Sequence, residues 1–106
     1  MSVRVAIIDS GFDDGLESTA GRHFVFENDQ VMQNPVIPDN HAHGSALAAS
    51  VKVLAPECEL INAQVFGEKM AASPIAIAAA IGWSVEQGAR LINMSFGLPE
   101  DREVLR

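Results

Sequence analysis

Few side chains in this sequence could do chemistry: an aspartate closing an apolar run, two histidines one residue apart, a lone cysteine and scattered serines. Asp9 follows Val3–Ile8 and precedes Ser10-Gly11. It therefore stands at the C-terminal end of a strand, where open α/β sheets place their ligands, or it serves an Asx turn. His43 precedes Gly44-Ser45-Ala46-Leu47-Ala48-Ala49. An imidazole there, in the first turn of a small-residue helix, suits a general base, the alternative being a surface histidine beside a cap. His41 and His43 make an His-x-His pair, with Asp39 and His23 as conceivable further metal ligands. No second His/Cys cluster of metal-binding spacing accompanies them, so no metal is expected. Cys58, between Glu57 and Glu59, reads as a packing residue rather than a nucleophile. No serine sits in a Gly-x-Ser-x-Gly elbow, and Ser45 is two residues along the same helical turn as His43, so the two side chains diverge. The residues offer an acid and a base without a nucleophile.

Seven segments make up the frame that would position these groups. Val3–Ile8 is short, β-branched and apolar, as a strand buried on both faces must be. Phe12–Asn40 carries six of the 14 acidic residues together with Pro35 and Pro38, and reads as loops around one short strand at Phe24-Val25-Phe26. Asp39-Asn40 can cap a helix over His43–Leu54, which Pro56 brings to an end. Glu59–Phe66 predicts a second buried strand ending at Gly67. Ser73-Pro74 opens a helix that runs to Gly88 and is apolar around its circumference from Ile75 to Val85, which predicts that it is largely buried. Arg90–Phe96 predicts a third strand closed by Gly97, and the acidic segment after Pro99 predicts the start of another helix. Strands alternating with helices imply right-handed crossovers and a parallel sheet with helices on both faces.

Composition narrows the function. At 106 residues there is room for one domain or part of one. The net charge of −7 argues against nucleic acid as a partner, because phosphate recognition needs clustered Lys and Arg. Charged or polar residues interrupt every apolar run, so neither a membrane span nor a secretory signal is expected. One cysteine cannot form an internal disulfide, and a cytoplasmic location is expected on that ground.

The motifs resemble those of the subtilisin-like serine peptidases. Val5-Ala6-Ile7-Ile8-Asp9-Ser10-Gly11 is similar to the family's Asp-Thr/Ser-Gly motif, and His43-Gly44-Ser45-Ala46-Leu47-Ala48-Ala49 to its His-Gly-Thr-His-Val-Ala-Gly motif. From Ala55 to Gly97, through Leu60–Gly67, Ile81–Val85 and Leu91–Gly97, the family pattern runs along the chain without a gap. The resemblance implies that residues 1–106 are the N-terminal portion of a single subtilisin-like catalytic domain. It implies that Asp9 is the triad aspartate and His43 the general base, then the general acid. It further implies that Ser95-Phe96-Gly97 is a strand edge along which a substrate peptide adds, with Met70-Ala71-Ala72 as the opposing strand. No cofactor is implied.

The departures also carry expectations. Ala46 and Ala49 replace the motif's second histidine and its glycine, both secondary positions. The helix from His43 joins Ala55 without the extra loop that helps the family hold calcium, so that site is expected to be absent. The family's oxyanion-hole asparagine and its Gly-Thr-Ser nucleophile belong to a C-terminal part that is not in these residues, so a second chain is expected to supply them. The short run before Asp9 leads to the expectation of no inhibitory prodomain, which is similar to intracellular subtilases that process precursor peptides. Ile7, Ile61, Ile92 and the Ile75–Val85 helix are expected to lie uncovered, and the chain is not expected to fold by itself. The alternative is an inactive subtilisin-like module that binds a peptide or a partner protein.

Overall fold

The computed structural model describes residues 3–13, 15–67 and 72–94. Its elements run β1 (Arg4–Asp9), β2 (Ala20–Glu27), β3 (Gln30–Asn34), α1 (His43–Leu54), β4 (Glu59–Gln64), α2 (Pro74–Glu86) and β5 (Ala89–Asn93). They form one sheet in the order β3-β2-β4-β1-β5, parallel throughout except for β3, which is antiparallel to β2. β1 and β4 occupy the middle, in register from Arg4 opposite Glu59 to Asp9 opposite Gln64.

The near-continuous apolar runs of β1 and β4 follow from burial on both faces. Val5, Ile7 and Leu60 pack with Phe12, Ala48 of α1 and Cys58 on one face. Ala6, Ile8, Ile61 and Ala63 pack with Phe24 of β2 and with Ala76, Ile77, Ala80 and Trp83 of α2 on the other. The expected architecture, helices on both faces of a parallel sheet, is therefore present, α1 on one side and α2 on the other. Among the described residues no helix is long and apolar enough to cross a membrane.

Three expectations need correction. The region 12–40 contains two strands rather than one: β2 and β3 form a hairpin through Asn28 and Asp29, both with positive φ (51° and 61°). That is the backbone of a primed two-residue turn, here built from Asn-Asp without a glycine. The alternation in β2 is masked by Arg22 and His23, whose charge and polarity read as loop. Arg22 nevertheless belongs in the strand: it donates to Gln33 Oε1 on β3 (2.8 Å) and lies 5.3 Å from the Trp83 ring centroid.

The second correction concerns α2. Ser73 caps it by accepting from the Ile75 amide (3.1 Å), Pro74 occupies the first turn, and Gly88 takes a positive φ of 87° beyond its end, all as expected. Only one side is buried, however, while Ile75 and Val85 are 52% and 59% exposed. Apolar composition all round a helix cannot say which face the sheet takes. The third is that Ile7 and Ile61, expected to lie uncovered, are fully buried, because both central strands are sandwiched by the two helices. Exposed apolar side chains lie instead on the outer side of α2, at the end of α1 (Val53 and Leu54), and on the edge strand β5, where Leu91 is 62% exposed on the same sheet face as its register partner Val5.

Candidate active site

Asp9 is the last residue of β1, and its own carbonyl accepts from Val65 and Phe66, which ties the strand end to the end of β4. Its side chain belongs to the same face as Val5 and Ile7, the face that α1 covers, and is 1% exposed. One carboxylate oxygen accepts from the Ser10 amide (2.7 Å). Both carboxylate oxygens lie 2.8 Å from Nδ1 of His43, the first residue of α1. An acceptor pair at that distance places the ring proton on Nδ1, donated to Asp9, and leaves the Nε2 lone pair free to take a proton. The His43 side chain is 42% exposed.

Two glycines allow the approach of α1 to β1. A Cβ on Gly44 would fall on the carbonyl and the amide of Gly11, so any larger residue would push the helix away from the aspartate turn. Gly11 has φ of 106°, and a Cβ there would come within 2.6 Å of Gln64 Nε2. Gln64 is a buried residue supporting the aspartate turn that sequence reasoning missed. Its buried amide donates to the carbonyls of Ser10 (2.8 Å) and Ile37 (3.1 Å) and accepts from the Ile37 amide (2.8 Å). The available signal was an amide, together with Asn62, in a strand otherwise read as buried, since a buried polar side chain usually finds partners.

The His-x-His pair is divided. His43 faces Asp9, whereas Nε2 of His41 lies 2.9 Å from the Gly67 carbonyl. His23 is on β2, where burial holds its imidazole below its ordinary 6.5, and it lines a cavity of about 250 Å³ with Phe24, Val65, Gly67, Ser73 and Ala76. Among the described residues no three His, Cys, Asp or Glu side chains converge as a metal site requires. Cys58 is buried in the core on the α1 face.

Of the residues expected to bind substrate, Ser95, Phe96, Gly97, Met70 and Ala71 lie outside the described residues. Ala72 is partly buried against the core beneath α2 and borders the same cavity as His23. The serines nearest the Asp9–His43 pair in sequence are both committed: Ser10 Oγ accepts from the Gly44 amide (2.9 Å), and Ser45 Oγ donates to Asp39.

Residues 1–104 match the Subtilase family. The chain belongs to that family. A curated relative, the subtilisin-like protease het-Q2 of Podospora anserina, is 38% identical over 56% of this chain and 18% of its own length. A crystal structure of a lanthipeptide protease superimposes with a TM-score of 0.72 and 29% identity, covering 91% of this chain and 29% of that one. This subtilase chain thus spans less than a third of the length of either protein. The sheet and its two helices are the corresponding part of the subtilisin-like fold.

Proposed function

We propose that this subtilase chain is the N-terminal part of a serine endopeptidase domain, in which Asp9 and His43 work as the acid–base pair. The observation that carries this reading is the contact of His43 Nδ1 with both oxygens of a buried Asp9 carboxylate, beside an imidazole that remains open to solvent. Asp9 keeps the ring in the tautomer whose Nε2 is basic. His43 then takes the proton of the attacking hydroxyl and later returns it to the leaving amine, while Asp9 stabilises the imidazolium formed between the two steps.

The nucleophile and the oxyanion donor belong to a part of the domain outside residues 1–106. The engagement of Ser10 and Ser45 elsewhere supports this, as do the exposed apolar side chains of Ile75 and Val85 on α2 and of Leu91 on the edge strand, which a further part of the domain would cover. The substrate is a precursor peptide, extended along Ser95-Phe96-Gly97 and sandwiched by Met70-Ala71-Ala72. The name of the solved lanthipeptide protease supports a substrate of that class. The unpaired Cys58 suits work in the cytoplasm.

The test is hydrolysis of a precursor peptide by the purified protein together with whatever polypeptide accompanies it. Wild-type assembly should cleave, and Asp9→Asn or His43→Ala should lower kcat by about 10⁴-fold while binding persists. Wild-type protein that binds the peptide and never cleaves it would transfer the case to an inactive binding module.

A further inference from the structure

The left-handed backbone of Ala42 is the starting point. This residue immediately precedes His43, has φ of 58° and ψ of 6°, and offers no side chain to cap the helix that begins after it. A non-glycine residue holds such a conformation only when its surroundings impose it. The amides at the start of α1 also need acceptors.

Asp39 answers both needs. One of its oxygens accepts from the amides of His41 (3.0 Å) and Ala42 (3.0 Å), which fixes the left-handed turn. The other accepts from the Ser45 amide (3.1 Å) and the Ser45 hydroxyl, which caps the first turn of α1. The Ser10 hydroxyl oxygen accepts from the Gly44 amide (2.9 Å) in the same turn. A single carboxylate thereby holds the residues on both sides of His43. Partial burial raises the Asp39 pKa, but the hydrogen bonds from Ser45 and the His41 amide outweigh it and bring the carboxyl down to about 2.

We infer that Asp39 is a positioning residue, whose carboxylate holds the Ala42 turn and the first turn of α1 so that His43 Nδ1 meets both oxygens of Asp9. The inference rests on the reading of Asp9 and His43 as the acid–base pair. Asp39 touches neither of their side chains. It acts through the backbone on either side of His43.

The experiment combines a kinetic cycle with a spectroscopic readout in the assembled protease. Asp39→Asn should lower kcat by about tenfold or more with KM within about twofold, since misplacing a catalytic group by an ångström costs up to about 100-fold. In a His43→Ala background the same substitution should have no further effect. With histidines labelled in ¹⁵N, the proton resonance of His43 Nδ1–H donated to Asp9 should be sharp in the wild type and broadened or lost in Asp39→Asn. If Asp39→Asn fails to fold, Ser45→Ala, which removes one donor from Asp39 and keeps the fold, should shift the resonance and kcat in the same direction by a smaller factor. An unchanged resonance and kcat in Asp39→Asn, or an equal kcat loss with and without His43, would overturn the inference. Should Asp9→Asn leave kcat intact, the peptidase reading falls instead, and the resonance alone still decides whether Asp39 orients His43.

Discussion

The junction of β1 with α1 and the flank of α2 with β5 are finished to different degrees. At the junction, Asp9, Ser10, Asp39, Gly44 and Ser45 satisfy one another over short distances, and Ile7, Phe12 and Ala48 beside them are buried. At the flank, Leu91, Val85 and Ile75 stand more than half exposed along an edge strand and the outer side of a helix. Hydrogen-bonded geometry is thus complete where the proposed acid and base lie, while hydrophobic cover is incomplete about one strand away. Among the described residues the chain holds the Asp9–His43 pair in a hydrogen-bonded arrangement and leaves apolar side chains exposed on α2 and β5.

The largest effect expected from this contrast is at the junction. Asp9→Asn and His43→Ala should each lower kcat by about 10⁴-fold in the assembled enzyme, whereas Val85→Ala at the flank should leave kcat of the assembled enzyme within about twofold, as measured on a precursor peptide. Similar losses at both places would erase the distinction between them.

Next comes assembly. Covering a leucine side chain is worth about 1.5–3 kcal/mol, so Leu91→Asp should weaken association with the remaining part of the domain by at least about tenfold in a titration by calorimetry. Expressed by itself, the chain should bind a hydrophobic dye at this flank and lack a sharp cooperative melt. A sharp melt would show that the flank needs no cover.

A smaller effect follows from Asp39. Its carboxyl titrates at about 2 when folded and at an ordinary 3.8 when unfolded. Folding thus releases protons in that window, so the stabilisation is complete above about pH 4 and is lost as pH falls toward 2. Thermal melts between pH 5 and 2 should show this decline in the wild-type assembly and a shallower one in Asp39→Asn. The smallest effect belongs to His23. Burial disfavours its charged form, so stability should begin to fall as pH drops below 6.5, by no more than about 2 °C in Tm, and His23→Gln should remove that portion.

Much of this arrangement was legible in the residues. The apolar runs of β1 and β4 announced strands buried on both faces, and Ser73-Pro74 and Gly88 marked the ends of α2. Helix α1 spans His43–Leu54 as its small residues and Pro56 implied. The hairpin was hidden because Asn28 and Asp29 adopt the left-handed conformation without the glycine that signals it, and because Arg22 finds partners in Gln33 and Trp83 that only the folded sheet supplies. The exposed side of α2 was hidden for a different reason: its small apolar residues are equally suited to sheet and solvent, and the choice depends on neighbours. Around the site, Asp9 and His43 stood out by residue type and context, and Asp39 was legible as a cap. Its second task, fixing the left-handed Ala42 turn through the amides of His41 and Ala42, depends on a backbone conformation that residue type alone does not announce. Gln64 was not legible either, because its partners Ser10 and Ile37 lie on separate segments.

The proposal stands or falls on whether Asp9 and His43 activate a serine outside residues 1–106. A fluorophosphonate probe, which reacts with activated serines, tests it when applied to the purified assembly and followed by peptide mapping. One labelled serine is expected, outside residues 1–106, with labelling abolished by His43→Ala and by Asp9→Asn. Labelling of a serine within residues 1–106, labelling that survives His43→Ala, or no labelling of the wild-type assembly would contradict it.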